Sequence, residues 1–135
     1  MTAIDSLKKA VELPRHLVLE VLHRAQIASP EACQGLLVRN AAGELALLDI
    51  PADAVVSAVA TGLAVRAQEP LAFYHSSPAT DRPSLEQASH WLDLAPLYLS
   101  VALGVRGVLQ LRGWRREAGE LQEVELELDG GAGLR

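Results

Sequence analysis

The sequence has a single cysteine, no long uninterrupted apolar run and fewer basic than acidic residues. Its one cysteine, Cys33, cannot close an internal disulfide, as is typical of proteins in a reducing compartment. The longest apolar stretch, residues 54–65, contains polar residues and a glycine and is shorter than the roughly 20 residues that span a bilayer. Residues 1–9 are polar and lack the apolar core of a secretory leader. We therefore expect a cytoplasmic protein that does not cross a membrane.

The charge balance also excludes classes of partner. Twelve Lys and Arg stand against 17 Asp and Glu, for a net charge of -5, and no segment concentrates the basic residues. Such a surface gains little from counterion release on a polyanion, so nucleic acid and acidic membranes are not expected partners.

With 135 residues, half of them hydrophobic, the chain can build one core. We expect a single domain over residues 1–128 and a frayed Gly-rich tail over 129–135.

Hydrophobic periodicity and turn residues predict alternating strands and helices followed by a run of strands. The expected helices are Pro14 to Ala28, Pro51 to Gln68, with Asp53 near its start, and one that opens at Ser84 with Gln87 at the capping-box position. The expected strands are Ala10 to Leu13, Cys33 to Val38, Glu44 to Ile50, Leu71 to Tyr74 with His75 at its end, Leu97 to Leu103, Gly107 to about Arg112, and Leu121 to Leu128. Turns are expected at residues 40–43, at Gly104 and at residues 118–119. This order predicts one layered α/β domain.

Three short motifs follow one another along these elements. Ser-Pro-Glu-Ala-Cys (29–33) precedes a strand, Tyr-His-Ser-Ser-Pro (74–78) follows a strand, and Pro-Ser-Leu-Glu-Gln (83–87) opens a helix. Their order resembles the JAMM/MPN family, in particular its prokaryotic JAB-like metallopeptidase branch. Active members carry a glutamate before a strand, His-x-His-Pro after a later strand and Pro-Ser-x-x-Asp at a helix start. The resemblance implies a central mixed β-sheet flanked by about three helices.

The resemblance also implies a role for each matching residue. In active members two histidines and the aspartate hold zinc, the glutamate takes a proton from the zinc-bound water, and the serine stabilises the oxyanion. Glu31 matches the general base, His75 the first zinc ligand and Ser84 the oxyanion serine. Ser77 stands at the second histidine position and Gln87 at the aspartate position, and a neutral hydroxyl or amide is a poor zinc ligand. The resemblance therefore predicts a zinc site with two substituted ligand positions.

Two functions from different classes are consistent with this pattern. The first is a protein-binding or scaffolding module without zinc or peptidase activity, whose partner is a protein or a protein tail of the ubiquitin-like kind and which forms a homodimer or heterodimer. The second is a zinc metallopeptidase or isopeptidase that acts on ubiquitin-like or sulfur-carrier protein conjugates with a non-standard ligand set. Its missing ligands would come from His90, Asp81 or Glu86. A different α/β domain with accidental motif likeness is the third alternative.

Each site residue can also be explained by a structural role alone, without metal binding or catalysis. His75 can be a hydrogen-bonded histidine at a strand end, and His90 a histidine on a helix surface. Ser84 caps a helix, a role that contributes about 1 kcal/mol. Glu31 can be a solvated carboxylate between a helix and a strand, and Cys33 a small buried hydrophobe.

Overall fold

The computed structural model of the chain describes residues 11–29, 31–77, 83–103 and 109–129. These residues form three helices and eight strands. The helices are α1 (Arg15–Ala28), α2 (Val56–Val65) and α3 (Leu85–Leu92). The strands are β1 (Val11–Pro14), β2 (Gln34–Arg39), β3 (Leu45–Asp49), β4 (Glu69–Ser77), β5 (Tyr98–Leu103), β6 (Leu109–Glu117), β7 (Glu120–Val124) and β8 (Leu126–Asp129). None of these three helices is long and apolar enough to cross a membrane.

Six strands form the central sheet in the order β3-β2-β4-β5-β6-β7. The β4–β5 pair is parallel and the other neighbouring strands are antiparallel, so the sheet is mixed. The remaining strands, β1 and β8, form a parallel pair of their own. The predicted layered fold, with a central mixed sheet and three helices, is confirmed.

Side chains on the two faces of the sheet form two separate hydrophobic clusters. On one face α1 contributes Val18, Val21 and Ala25, which pack with Tyr74 and Leu99. The cluster on the other face joins the sheet to α2 and α3 and contains Leu63, Phe73, Ala88, Trp91, Tyr98 and Trp114. Because successive strand residues point to opposite faces, the neighbours Phe73 and Tyr74 of β4 belong to different clusters. This alternation decides which helix each residue at the end of β4 faces.

Aromatic packing fixes α3 against the sheet. The ring of Phe73 in β4 stacks on Trp91 of α3, with centroids 4.1 Å apart and an interplanar angle of 7°. Phe73 also contacts Tyr98 of β5 in a tilted arrangement, with centroids 5.3 Å apart. Buried aromatic pairs of this kind contribute about 1 kcal/mol beyond their buried area. They hold α3 beside the paired strands β4 and β5.

The helix predicted to begin at Pro51 begins at Val56 instead. The carbonyl of Pro51 accepts hydrogen bonds from the N–H of Ala54 (3.1 Å) and from Nε2 of Gln34 (2.7 Å). This turn, tied to β2, replaces the expected first helical turn. Asp53 is exposed and lies before the N-cap residue Val55, near the start of the helix but outside its first turn.

The same helix also ends earlier than predicted, at Val65 rather than at Gln68. Ala67 has a left-handed backbone, with φ of 54°. The N–H of Ala67 donates to the carbonyl of Ala64 (3.2 Å), and that of Gln68 donates to the carbonyl of Leu63 (2.9 Å). These bonds satisfy the last helical carbonyls and turn the chain into β4.

Three strands differ from their predicted bounds because of pairing that local patterns do not show. β4 continues to Ser77, so His75 lies inside the strand rather than at its end. β6 continues to Glu117, and it pairs on both sides, with β5 and with β7. The single strand predicted for residues 121–128 is two strands, β7 and β8, separated at Glu125. The carbonyl of Glu125 accepts a hydrogen bond from the N–H of Val11 (2.8 Å), and β8 pairs with β1 instead of continuing the central sheet. The predicted turn at Gly104 and the tail beyond residue 129 lie outside the described residues.

Candidate functional site

Two of the predicted metal positions lie on one face of β4. His75 and Ser77 are separated by one residue in the strand, so their side chains point to the same face as Phe73, toward α3. Ser76 points to the opposite face, where its Oγ accepts a hydrogen bond from the N–H of Cys33 (2.8 Å). The strand therefore presents an imidazole and a hydroxyl together to the α3 side.

Strand β5 and the start of α3 complete a cavity beside these residues. The parallel register places Tyr98 opposite Phe73 and Ser100 opposite His75. The resulting cavity, here called the α3 cavity, has a volume of about 270 Å³ and is lined by His75, Ser77, Pro83, Ser84, Gln87, Tyr98 and Ser100. Four sequence-predicted site residues are thus brought together: His75, Ser77, Ser84 and Gln87.

Two hydroxyls of the α3 cavity are held by structural hydrogen bonds. Ser84 is the N-cap of α3, and its Oγ accepts from the N–H of Gln87 (3.1 Å), so the predicted helix cap is confirmed. Ser100 is buried, and its Oγ accepts from Nε1 of Trp114 (2.8 Å). The cavity wall is therefore anchored to the helix start on one side and to the sheet core on the other.

The described lining of the α3 cavity carries no Asp, Glu, Lys or Arg side chain. His75 is half-buried, and burial lowers the pKa of its imidazole, which favours the uncharged form. Burial raises the pKa of Tyr98 to about 12, so its phenol keeps its proton. The described lining thus offers polar but uncharged groups.

A second, larger cavity lies on the α1 side of the same strand end. This α1 cavity has a volume of about 510 Å³ and is lined by Arg24, Ile27, Ala28, Ala32, Cys33, Gln34, Asp49, Ile50, Ala52 and His75. His75 lines both cavities, since it pairs with Gln34 of β2 on one side and with Ser100 of β5 on the other. The imidazole therefore lies where the two cavities meet.

Arg24 and Asp49 place one cation and one anion at the α1 cavity. Arg24 donates from Nη1 to Oδ1 of Asp49 (2.5 Å) and to Oη of Tyr74 (3.4 Å), and from Nε to Oε2 of Glu20 (3.2 Å). Burial raises the pKa of Tyr74, and the Arg24 hydrogen bond acts in the opposite direction. Because the Asp49 side chain is 83% exposed, solvent screens this ion pair. The network joins α1 to β3 and β4 at the cavity rim.

The architecture is similar to that of three solved structures. A JAB1/MPN domain protein from Archaeoglobus fulgidus has 20% sequence identity and a TM-score of 0.58, and the match covers 88% of this chain and 99% of that one. A Desulfitobacterium hafniense protein has 22% identity and a TM-score of 0.58, with 89% and 96% covered. A Salinibacter ruber protein has 18% identity and a TM-score of 0.57, with 89% and 92% covered.

The fold is JAB1/MPN-like. This confirms the fold that the three sequence motifs predicted. No protein-family model matches the chain, and no curated protein sequence matches it. At this level of identity the likeness concerns the fold alone. The chemistry of the site has to be derived from the residues of this chain.

The residues of the α3 cavity do not fit the zinc ion that a JAB1/MPN-like fold implies. Structural and catalytic zinc sites use three or four strong donors such as imidazole, thiolate or carboxylate. Here His75 supplies one imidazole, whereas Ser77 supplies a hydroxyl and Gln87 an amide. Within the described ranges no group of three or more His, Cys, Asp or Glu side chains is arranged to hold a metal ion.

The remaining predicted site residues lie apart from the α3 cavity or outside the described chain. Glu31, matched to the general base, is exposed just before β2, and its N–H donates to the carbonyl of Ala28 (2.8 Å). His90 and Glu86 are exposed on α3 and do not belong to the described cavity lining. Asp81 lies outside the described residues. A rescue of the metal site by these residues stays a prediction.

Cys33 has a packing role next to the α1 cavity. It is half-buried, where a small buried hydrophobe was expected, and packs against the hydrophobic cluster to which α1 contributes Val18, Val21 and Ala25. Its sulfur accepts from Oγ of Ser76 (3.4 Å), and its carbonyl accepts from the N–H of Ser76 (2.8 Å). These contacts join the segment before β2 to the end of β4.

Several lining residues were missed by reasoning from the sequence. Tyr98 and Ser100 were predicted only as strand residues, because the register of a parallel pair is not visible in local patterns. Arg24 and Asp49 were also missed, since they are 25 positions apart. Their opposite charges are visible in the sequence, but nothing local pairs them.

Proposed function

We propose that this chain is a protein-binding module on a JAB1/MPN-like fold, without zinc-dependent peptidase activity. The observation that carries the proposal is the donor set of the α3 cavity. It combines one neutral imidazole, from His75, with hydroxyl and amide groups at the positions where active members place a histidine and an aspartate.

The energetics of zinc binding support the proposal that this chain does not hold zinc. A protein site must offset the dehydration of the ion, and it does so with several charged or strongly basic donors. One imidazole, a serine hydroxyl and a glutamine amide bring no negative charge. Without a metal to lower the pKa of water, the Glu31 carboxylate has no activated nucleophile to deprotonate, and the stabilisation of the developing oxyanion is also lost.

The same cavity suits an uncharged polar ligand such as a peptide backbone. Gln87, exposed at the start of α3, offers an amide group that can both donate and accept hydrogen bonds. Next to it, the α1 cavity adds the cation of Arg24 and the exposed apolar side chain of Ile27. We propose that a protein tail lies across both cavities over His75, with the extended tails of ubiquitin-like proteins as the class to examine first.

Zinc stoichiometry and affinity of the purified, untagged protein test the proposal. We expect the dialysed wild-type chain to retain no zinc and to bind added zinc no better than an isolated histidine does. The matched positive control is the double variant Ser77→His with Gln87→Asp, which restores the ligand types of active members. It should gain tight, stoichiometric zinc binding that His75→Ala then removes.

One tightly held zinc per wild-type chain would overturn the proposal and favour the zinc metallopeptidase or isopeptidase with a non-standard ligand set. Substituting His90, Asp81 and Glu86 in turn would then identify the missing ligands. Tight zinc binding that is equal in wild type and in His75→Ala would place the metal elsewhere and leave the α3 cavity as a non-metal site.

Binding of a protein tail is tested separately by NMR titration of labelled chain with ubiquitin or a sulfur-carrier protein. The proposal predicts amide shifts at both cavities, for example at Gln34 and Gln87, that weaken in a Gln87→Ala variant. Shifts confined to other surfaces, or no shifts at millimolar probe, would count against a ubiquitin-like tail.

A further inference from the structure

A third cavity is lined by helix α2 and by the edge strand β3. This cavity, here called the α2 pocket, has a volume of about 260 Å³. Arg66, at the end of α2, and Gln68, just before β4, contribute polar side chains to it. Its aliphatic lining residues are Leu48, Ile50, Val59 and Leu63. Pockets for drug-sized ligands begin at roughly 300 Å³, so the α2 pocket suits a smaller molecule.

Gln68 brings an unused hydrogen-bond acceptor to the α2 pocket. Among the described residues, its Oε1 is the one buried side-chain oxygen or nitrogen without a hydrogen-bond partner. A buried acceptor without a partner destabilises the chain, and a bound donor would remove that cost. The last torsion of a glutamine side chain has broad minima, so rotation of the amide can present this oxygen to the pocket. A ligand with a hydrogen-bond donor would therefore be favoured.

Arg66 adds a cation at the exposed side of the same pocket. It is the exposed C-cap residue of α2, and no described residue forms an ion pair with its guanidinium. Asp49 also lines the pocket, but its carboxylate accepts a hydrogen bond from Arg24. A carboxylate on a ligand can thus pair with Arg66 without displacing a described partner.

The aliphatic lining decides where each group of a ligand lies. Leu63 is buried, and Leu48, Ile50 and Val59 are half-buried, so a charged group among them would lose its hydration. A neutral donor can approach Gln68 without that penalty. A carboxylate keeps most of its hydration only at the exposed Arg66. The two polar ends of the ligand are therefore separated by an apolar body.

We propose that the α2 pocket binds a small amphipathic carboxylate with a neutral N–H or O–H donor at the end opposite its carboxylate. The carboxylate pairs with Arg66, the donor binds Oε1 of Gln68, and a body of about one ring packs against the aliphatic lining. Neither Arg66 nor Gln68 is among the described lining residues of the α1 cavity or the α3 cavity. The site is therefore independent of the proposed binding of a protein tail.

NMR titration of the full labelled chain with 4-hydroxyphenylacetate tests the site. We expect amide shifts at the lining residues Gly62 and Gln68. Phenylacetate lacks the hydroxyl donor and should bind about tenfold more weakly, the effect of one hydrogen bond. Tyramine keeps the hydroxyl but replaces the carboxylate with an ammonium group. It should bind at least about fivefold more weakly than 4-hydroxyphenylacetate, because its cation would face Arg66.

Two variants separate the roles of the acceptor and the cation. Gln68→Met keeps an unbranched side chain but removes the acceptor, so it should bind 4-hydroxyphenylacetate and phenylacetate equally. Arg66→Gln should weaken the binding of both carboxylates by about fivefold. The matched control is Arg15→Gln, which removes an exposed cation of α1 and should bind both probes as wild type does.

Urea denaturation separates loss of the acceptor from loss of the fold. Because Oε1 of Gln68 has no partner among the described residues, Gln68→Met should leave the denaturation midpoint unchanged or raise it. A lower midpoint would show that this oxygen is already paired and would overturn the proposal. So would the absence of shifts at Gly62 and Gln68 with millimolar 4-hydroxyphenylacetate, or equal binding of 4-hydroxyphenylacetate and phenylacetate to wild type.

Discussion

The α3 cavity and the α1 cavity meet at His75, but only the α1 cavity has charged side chains in its described lining. The described lining of the α3 cavity is neutral, with hydroxyl, amide, phenol and imidazole groups. The α1 cavity contains Arg24 and Asp49, joined in a screened ion pair. On a JAB1/MPN-like fold, metal chemistry would require strong donors in the α3 cavity. Among the described lining residues of this chain, the charged pair lies on the α1 side instead.

The largest expected effect comes from adding a side chain at Gly35, where β2 lies close to β3 and to Tyr74. A Cβ added to Gly35 would lie 2.5 Å from Oη of Tyr74 and still nearer the carbonyl of Leu48. Because one of these neighbours is backbone of β3, the strands must separate. Gly35→Ala should therefore lower the free energy of unfolding by about 3 kcal/mol, measured by urea denaturation. It should also disturb the Tyr74 contact with Arg24.

The control for this substitution is Gly62→Ala. Gly62 is helical and has open space around it, so an added methyl group should cost nothing and can stabilise the helix by about 0.5–1 kcal/mol. Equal destabilisation by both substitutions would contradict the close approach of β2 to β3 and Tyr74.

The next effect tests the anchoring of the α3 cavity. Ser100→Ala removes the hydroxyl that accepts from Nε1 of the buried Trp114. Taking an acceptor from a buried donor costs about 2 kcal/mol. In a Trp114→Phe background, which lacks the indole N–H, the same Ser100→Ala change should cost much less. Equal costs in the two backgrounds, measured by urea denaturation, would show that this hydrogen bond does not hold the cavity wall.

A smaller effect concerns salt: substitutions in the two cavities should differ in how their change in the free energy of unfolding depends on ionic strength. Arg24→Met removes the cation of the α1 cavity and should lower the free energy of unfolding by about 1 kcal/mol or less at low ionic strength. This loss should shrink as salt is added, because the Asp49 contact is exposed. Gln87→Met in the α3 cavity is the matched control, and its effect should not depend on salt. A salt-independent loss at Arg24 would assign its role to packing.

The smallest effect concerns pH. Burial lowers the pKa of His75 below its ordinary value of 6.5, so the folded state binds the proton less readily than the unfolded state does. The stabilising contribution of the neutral imidazole is complete above pH 6.5. It is lost as the pH falls from 6.5 through the lowered folded pKa. Urea denaturation between pH 7.5 and pH 5 should show this decline, and His75→Gln should reduce it.

The matched control for the pH effect is His90→Gln, which removes an exposed histidine of α3. We expect it to leave the pH dependence close to that of wild type. If the two variants change the pH dependence equally, burial at the junction of the two cavities is not its cause.

Sequence reasoning succeeded where the relevant contacts are local. The cap at Ser84 was predicted correctly, since its hydrogen bond reaches only as far as Gln87. It failed at the start of α2, because Pro51 is held in a turn by Gln34 of another strand. It also failed to divide the last predicted strand at Glu125, where the N–H of Val11 from the other end of the chain interrupts the pattern.

By itself the sequence determined the helix cap at Ser84, the hydrophobic periodicity of most elements and the identity of the motif residues His75, Ser77 and Gln87. These features depend on neighbours a few positions away. Only the tertiary structure decided that His75 lies between the α3 cavity and the α1 cavity with its Arg24–Asp49 ion pair, because that position follows from pairing β4 with β2 and with β5. Strand register depends on side-chain packing across the whole sheet, so it cannot be predicted from a local stretch of sequence.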